Sequence, residues 1–142
     1  MLGNKQFRIS QELGVYTGVT PGERIRNICD FMRDYLKVSK AKGFVLGVSG
    51  GQDSTLCGKL AQLVIDNIGC CELIALRLPY GVQADEEDAK AALDFISPSR
   101  VFTYNIKPEV DKIVENYENT FGKKMSDFAK GNVKARARMV IQ

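Results

Sequence analysis

Residues 44–55 read Phe44-Val45-Leu46-Gly47-Val48-Ser49-Gly50-Gly51-Gln52-Asp53-Ser54-Thr55. The run from Phe44 to Val48 is short, apolar and continuous rather than alternating. That is the pattern of a strand buried on both faces of a parallel sheet. Glycines and hydroxyl residues break the run, and Leu56, Leu60, Leu63, Val64 and Ile68 then place an apolar side on a helix. Strand, glycine loop and helix in direct succession predict an α/β unit. Its loop stands at the carboxyl end of the strand, where open α/β sheets bind their ligands.

The flanking sequence repeats the alternation. Upstream, a helix is predicted over Thr20–Val38, with Thr20 as N-cap, Pro21 in the first turn and Glu23 completing a capping box. Ile25, Ile28, Cys29, Met32, Tyr35 and Leu36 form its apolar stripe. Downstream, Leu73–Leu76 and Val101–Tyr104 read as further strands. A helix from about Ala84 opens with acids from Asp85 to Asp88, which favour the positive end of its dipole. Val110, Ile113, Val114 and Tyr117 mark another helix, and Ser126 or Asp127 caps a last one. The fold class is therefore α/β, a doubly wound parallel sheet with helices on both faces. Residues 1–19 lack such a pattern and read as an N-terminal arm, leaving 20–142 as one domain. Met139-Val140-Ile141-Gln142 ends apolar without a stop signal, so the sequence reads as truncated.

Composition removes several function classes. The 142 residues contain no histidine, which excludes Ser-His-Asp and Cys-His catalysis and HExxH metal sites. Cys29, Cys57, Cys70 and Cys71 have no zinc-site spacing and suit a reducing compartment; the adjacent pair reads as small apolar positions near a strand start. No apolar run is long enough to span a membrane and no leader pattern opens the chain, so a cytoplasmic protein without a membrane partner is expected. The net charge of +3 is uneven: residues 123–142 carry +5 and the first 122 carry −2. This is not a uniformly basic nucleic-acid binder.

The glycine loop carries the chemistry. Adjacent glycines let backbone N–H groups approach an anion, and the helix N-terminus adds partial positive charge. Ser49, Ser54 and Thr55 supply hydroxyls. Asp53 would repel bare phosphate, so its presence fits a magnesium ion between carboxylate and phosphate. The loop lacks the lysine of a Walker A sequence and is not a GxGxxG. Gly47-Val48-Ser49-Gly50-Gly51 matches the GxSxG nucleophile elbow, but that elbow needs a histidine base.

Ser49-Gly50-Gly51-Gln52-Asp53-Ser54 resembles the SGGxDS pyrophosphate loop of the N-type ATP pyrophosphatases, whose domain is Rossmann-like, of the adenine nucleotide alpha hydrolase kind. Three segments narrow the resemblance to ammonia-dependent NAD synthetases: Lys42–Thr55, Leu76–Gln83, and Phe128–Met139 with its Lys-Gly-Asn-Val-Lys-Ala-Arg run. The resemblance implies adenylation of deamido-NAD by ATP, then amidation by ammonia with release of AMP and pyrophosphate. It places ATP on Gly47, Val48, Ser49, Gly50, Gly51, Gln52, Asp53 and Ser54, with Arg77 and Gln83 at the adenosine and Asp53 on Mg2+. It places deamido-NAD on Arg136 and Asn132, and brings Tyr35 toward a partner subunit's pocket in a homodimer; Tyr35 read from its stripe alone is a core residue. Lys134 and Arg138, four residues apart, read as solvated or interface charges.

The family also continues past this sequence with a second acidic magnesium ligand, so these residues alone are expected to be inactive. Two other readings stay open at this stage. One is another N-type pyrophosphatase such as GMP synthetase, although only 46 residues precede Gly47 and leave no room upstream for an amidotransferase domain. The other is a nucleotide-binding or dimerisation module without turnover.

Overall fold

The structure, a computed structural model, describes residues 4–15, 18–82 and 86–142. Three parallel strands, β1 (Gly43–Gly47), β2 (Glu72–Arg77) and β3 (Arg100–Thr103), lie side by side in chain order. Phe44 pairs with Leu73 and Leu46 with Ala75, while Ala75 pairs with Val101 on the other side. Between the strands run α3 (Gln52–Ile68) and α4 (Glu86–Ile96). Before them come α1 (Asn4–Glu12) and α2 (Pro21–Ser39), and after them α5 (Lys107–Phe121) and α6 (Asp127–Ile141).

Local chemistry explains the boundaries. The capping box of α2 is formed: the Thr20 hydroxyl accepts from Glu23 N–H at 3.3 Å, and the Glu23 carboxylate accepts from Thr20 N–H at 2.8 Å. Ser126, not Asp127, caps α6, its hydroxyl accepting from Ala129 N–H at 3.3 Å. Residues 4–12 of the expected arm are helical. The side chains of residues 5–12 are almost all exposed, so α1 is an arm with helical order rather than a loose lead-in.

Alternation along the strands divides the core in two. Leu73 and Ala75 of β2, with Phe44 and Leu46 of β1, pack against Leu36, Ala61, Val64, Ile65, Ala92 and Ile96 from α2, α3 and α4. Gly58 sets the closeness of α3 to α4, since a Cβ there would stand 2.6 Å from Ile96 Cδ1. On the opposite face Leu76 joins Leu78, Ile106, Val110, Val114, Val133 and Ala137 under α5 and α6.

Three expectations need correction. The strands are not buried on both faces: α5 and α6 cover only part of the second face, leaving Val45 on β1 51% and Phe102 on the edge strand β3 45% exposed. The α2 stripe is narrower than its spacing suggests, because α3 covers only Cys29, Met32 and Leu36, while Ile25, Ile28 and Tyr35 stay exposed. Cys70 is exposed and only Cys71 packs on the core.

Leu73 is wholly buried at the centre of the larger cluster. Leu73→Ala should cost about 2–5 kcal/mol through lost burial and a residual cavity. Denaturant unfolding of the two proteins side by side measures this, and a loss below 1 kcal/mol would contradict the core assignment.

Candidate functional site

Parallel pairing brings the carboxyl ends of β1 and β2 together, and Val48 N–H donates to the Leu76 carbonyl at 2.9 Å just past β1. The chain then turns through Ser49–Gly51 into α3. Hydrogen bonds within the loop set its shape. Ser49 N–H donates to Ser54 Oγ at 3.3 Å, the two serine hydroxyls lie 3.1 Å apart, and Gly51 N–H donates to Ser49 Oγ at 3.3 Å. The Thr55 hydroxyl donates to the Gly51 carbonyl at 2.8 Å. Gly50 takes φ +87°, and a Cβ there would lie 2.9 Å from Ala89 N and 3.1 Å from the Asp88 carbonyl carbon. Only glycine satisfies both the left-handed backbone and this approach to α4.

Gly51 is the N-cap of α3 and offers no side-chain cap. The first N–H groups of the helix lack intrahelical partners and present partial positive charge at the loop. Asp53 is exposed in this first turn. Among the described residues no three His, Cys, Asp or Glu side chains gather to hold a metal ion. Asp53 thus offers one carboxylate, which fits a magnesium ion that takes its remaining ligands from phosphate oxygens and water.

A cleft of about 350 Å³ opens beside the loop, lined by Gly47, Val48, Ser49, Arg77, Leu78 and Arg138 among others. The Arg77 guanidinium is paired with both carboxylate oxygens of Glu86, with Nη2 donating to Oε2 at 2.7 Å. That hydrogen bonding holds the Glu86 carboxyl below its ordinary pKa. Arg138 Nε donates to the Leu78 carbonyl at 3.0 Å, which turns this side chain into the cleft. Arg138, expected as a solvated or interface charge, thus lines the cleft.

Tyr80 follows directly, with the ammonium groups of Lys107, Lys130 and Lys134 at 5.5, 5.3 and 4.0 Å from its ring centroid. Its hydroxyl and Lys107 both donate to Asp111, and Lys107 foremost holds that carboxyl below its usual range. Lys134 thus stacks on an aromatic ring rather than standing free in solvent. Asn105 Oδ1 accepts from Gly81 N–H and Lys107 N–H, both at 3.0 Å, fastening the turn after β2 to the start of α5.

The sequence matches a known family. The family model for NAD synthase covers residues 24–142. The chain belongs to the NAD synthase family. It is 53% identical over 143 residues to the NH(3)-dependent NAD(+) synthetase of Halalkalibacterium halodurans, covering 96% of this chain and 53% of that protein. It is 48% identical over 141 residues to the enzyme of the same name from Bacillus licheniformis, covering 96% and 52%. The NAD+ synthetase of Burkholderia pseudomallei shares the fold with a TM-score of 0.86 at 34% identity, over 95% of this chain and 61% of that one. The chain spans about half the length of the curated relatives it matches.

Within this family member, the expected nucleotide residues fall into groups. Gly47, Val48, Ser49 and Arg77 share one cleft, and Gly50, Gly51, Gln52, Asp53 and Ser54 complete its loop and the first turn of α3. Gln83 lies outside the described residues. Asn132 and Arg136 stand on α6, where Arg136 Nη1 donates to the Asn132 carbonyl at 3.4 Å. Arg136 lines a separate apolar cleft of about 340 Å³ with Tyr104, Ile113, Val133 and Val140. Tyr35 is 61% exposed on α2 beside Phe31, so it is not the core residue its stripe suggested. Arg138 and Glu86 stand at the cleft without a motif that marks them there. The i,i+4 spacing that pairs Lys134 with Arg138 also separates them from Arg136, and it is the sequence sign that Arg138 faces elsewhere.

Gly50→Ala places a methyl group into the α4 backbone at a positive φ. It should destabilise the protein by about 1–3 kcal/mol. Unchanged stability in denaturant unfolding would show that the loop does not depend on this contact.

Proposed function

We propose that the protein to which this chain belongs is an ammonia-dependent NAD synthetase acting on ATP, deamido-NAD and ammonia. The observation that carries the reading is the Gly47–Ser54 loop at the N-terminus of α3, walled by Arg77 and bearing Asp53 in its first turn. Relatives named NH(3)-dependent NAD(+) synthetase at 48–53% identity support ammonia as the nitrogen donor. The solved glutamine-dependent enzyme of Acinetobacter baumannii is more distant at 26%, and the chain covers 22% of it.

In this reading the loop and the α3 N-terminus bind the triphosphate through backbone N–H groups. The nicotinate carboxylate of deamido-NAD attacks the α-phosphorus, the bond to the β-phosphate oxygen breaks, and pyrophosphate leaves. Ammonia then attacks the carbonyl carbon of the acyl adenylate, loses a proton, and AMP departs as the amide forms. Asp53 would hold Mg2+, which when bound would neutralise the charge that grows on pyrophosphate. Arg77 and Gln83 contact the adenosine part, and Arg136 and Asn132 the deamido-NAD. Tyr35 reaches the substrate pocket of a second subunit in a homodimer. Support for that association is the apolar side of α2 at Phe31 and Tyr35, whose rings lie 6.3 Å apart and are each more than half exposed. Among the described residues no helix is long and apolar enough to cross a membrane. With four free cysteines, this supports a cytoplasmic location.

The test is to supply the intact protein with Mg-ATP, deamido-NAD and ammonium and to follow AMP and NAD. Equal amounts of both are expected; ADP in place of AMP, or no NAD, contradicts the reading. Asp53→Asn should leave stability within about 1 kcal/mol, as for a surface change. It should strongly lower pyrophosphate release at limiting magnesium, and normal turnover there would remove Asp53 from the metal. The 142 residues alone should form no NAD, since the relatives with the activity are about twice as long.

A further inference from the structure

Arg77 stands where the loop cleft meets the first turn of α4. Its side chain is only 12% exposed, whereas Glu86, which grips it, is 62% exposed. Nη1 pairs with Oε1 and Nη2 with Oε2, so two parallel contacts set the plane of the guanidinium as well as its position. Glu86 is the first residue of α4, where the helix dipole favours its ionised form.

Because Glu86 stays open to water, screening limits what the pair adds to folding stability. An unheld arginine carries rotamer entropy that a ligand would have to overcome. Ordering the side chain beforehand removes that cost from binding. We propose that Glu86 is a positioning residue, holding the Arg77 guanidinium in one plane on the wall of the Gly47–Ser49 cleft so that it meets the adenosine part of the nucleotide. The inference rests on the nucleotide-site reading above and adds to it which residue sets the geometry of Arg77.

Glu86→Gln keeps the shape and removes the charge; Glu86→Asp keeps the charge on a shorter arm. Both are compared with the unmodified intact protein by titration with Mg-ATP and, separately, with magnesium pyrophosphate, and by KM and kcat. Glu86→Gln should weaken Mg-ATP binding and raise the KM for ATP by about three- to tenfold, the scale of a partly lost charge-assisted pair. Pyrophosphate binding should be unchanged, because the loop holds that part of the ligand, and kcat should move less than about twofold. Glu86→Asp should recover part of the loss. In an Arg77→Lys background, Glu86→Gln should add little, the signature of two residues acting through one contact.

Unchanged ATP binding in Glu86→Gln overturns the proposal. So does equal weakening of ATP and pyrophosphate, or melting of both variants well below the unmodified protein, since each marks a structural role. If the unmodified protein binds Mg-ATP but makes no NAD, the synthetase reading fails while the ATP and pyrophosphate titrations still decide the role of Glu86.

Discussion

The parallel pairing of β1 with β2, closed by the hydrogen bond from Val48 N–H to the Leu76 carbonyl, is the constraint on which the site depends. It brings two chain segments about thirty residues apart in sequence to one sheet edge. Everything after Gly47 on one strand and after Leu76 on the other must then share the same space. The glycine loop, Arg77 and Leu78 meet there for that reason, and α6 supplies Arg138 from across the cleft. The larger core beneath serves this arrangement: Leu73 and Ala75 anchor β2 while Ala61, Val64 and Ile65 hold α3 against it.

A second constraint acts from α4. Gly50 rests on the Asp88–Ala89 backbone, and Glu86 one turn earlier takes the Arg77 guanidinium. One helix start thus shapes the loop through a steric approach and a cleft residue through charge. The acids at this position satisfy the helix dipole, as their placement suggests. Glu86 in addition has a partner in the cleft.

Most of the element order was legible in the sequence because periodicity and caps agreed. Thr20 and Glu23 form the capping box their spacing predicts, and the Gly47–Ser54 loop stands between strand and helix as its composition requires. What was not legible depends on which neighbour covers a face. Val45 sits in a continuous apolar run yet is half exposed, because α5 and α6 cover only part of that sheet face. Tyr35 lies on an apolar stripe, but α3 is too narrow to cover it. Arg136 and Arg138 are two residues apart and chemically alike, and only the packing of α6 on Leu78 separates the apolar cleft from the loop cleft. Residues 4–12 carried no strand or core pattern, so the exposed helix α1 was invisible to periodicity.

In the proposed reaction the loop positions ATP for attack at its α-phosphorus by a carboxylate. The most direct measurement follows oxygen. Deamido-NAD labelled with oxygen-18 in both nicotinate carboxylate oxygens is converted with Mg-ATP and ammonium by the intact protein, and the products are weighed by mass spectrometry. One labelled oxygen is expected in the phosphate of AMP and one in the amide of NAD, because the attacking oxygen leaves with AMP. Unlabelled AMP, with the label recovered in pyrophosphate or inorganic phosphate, would contradict it.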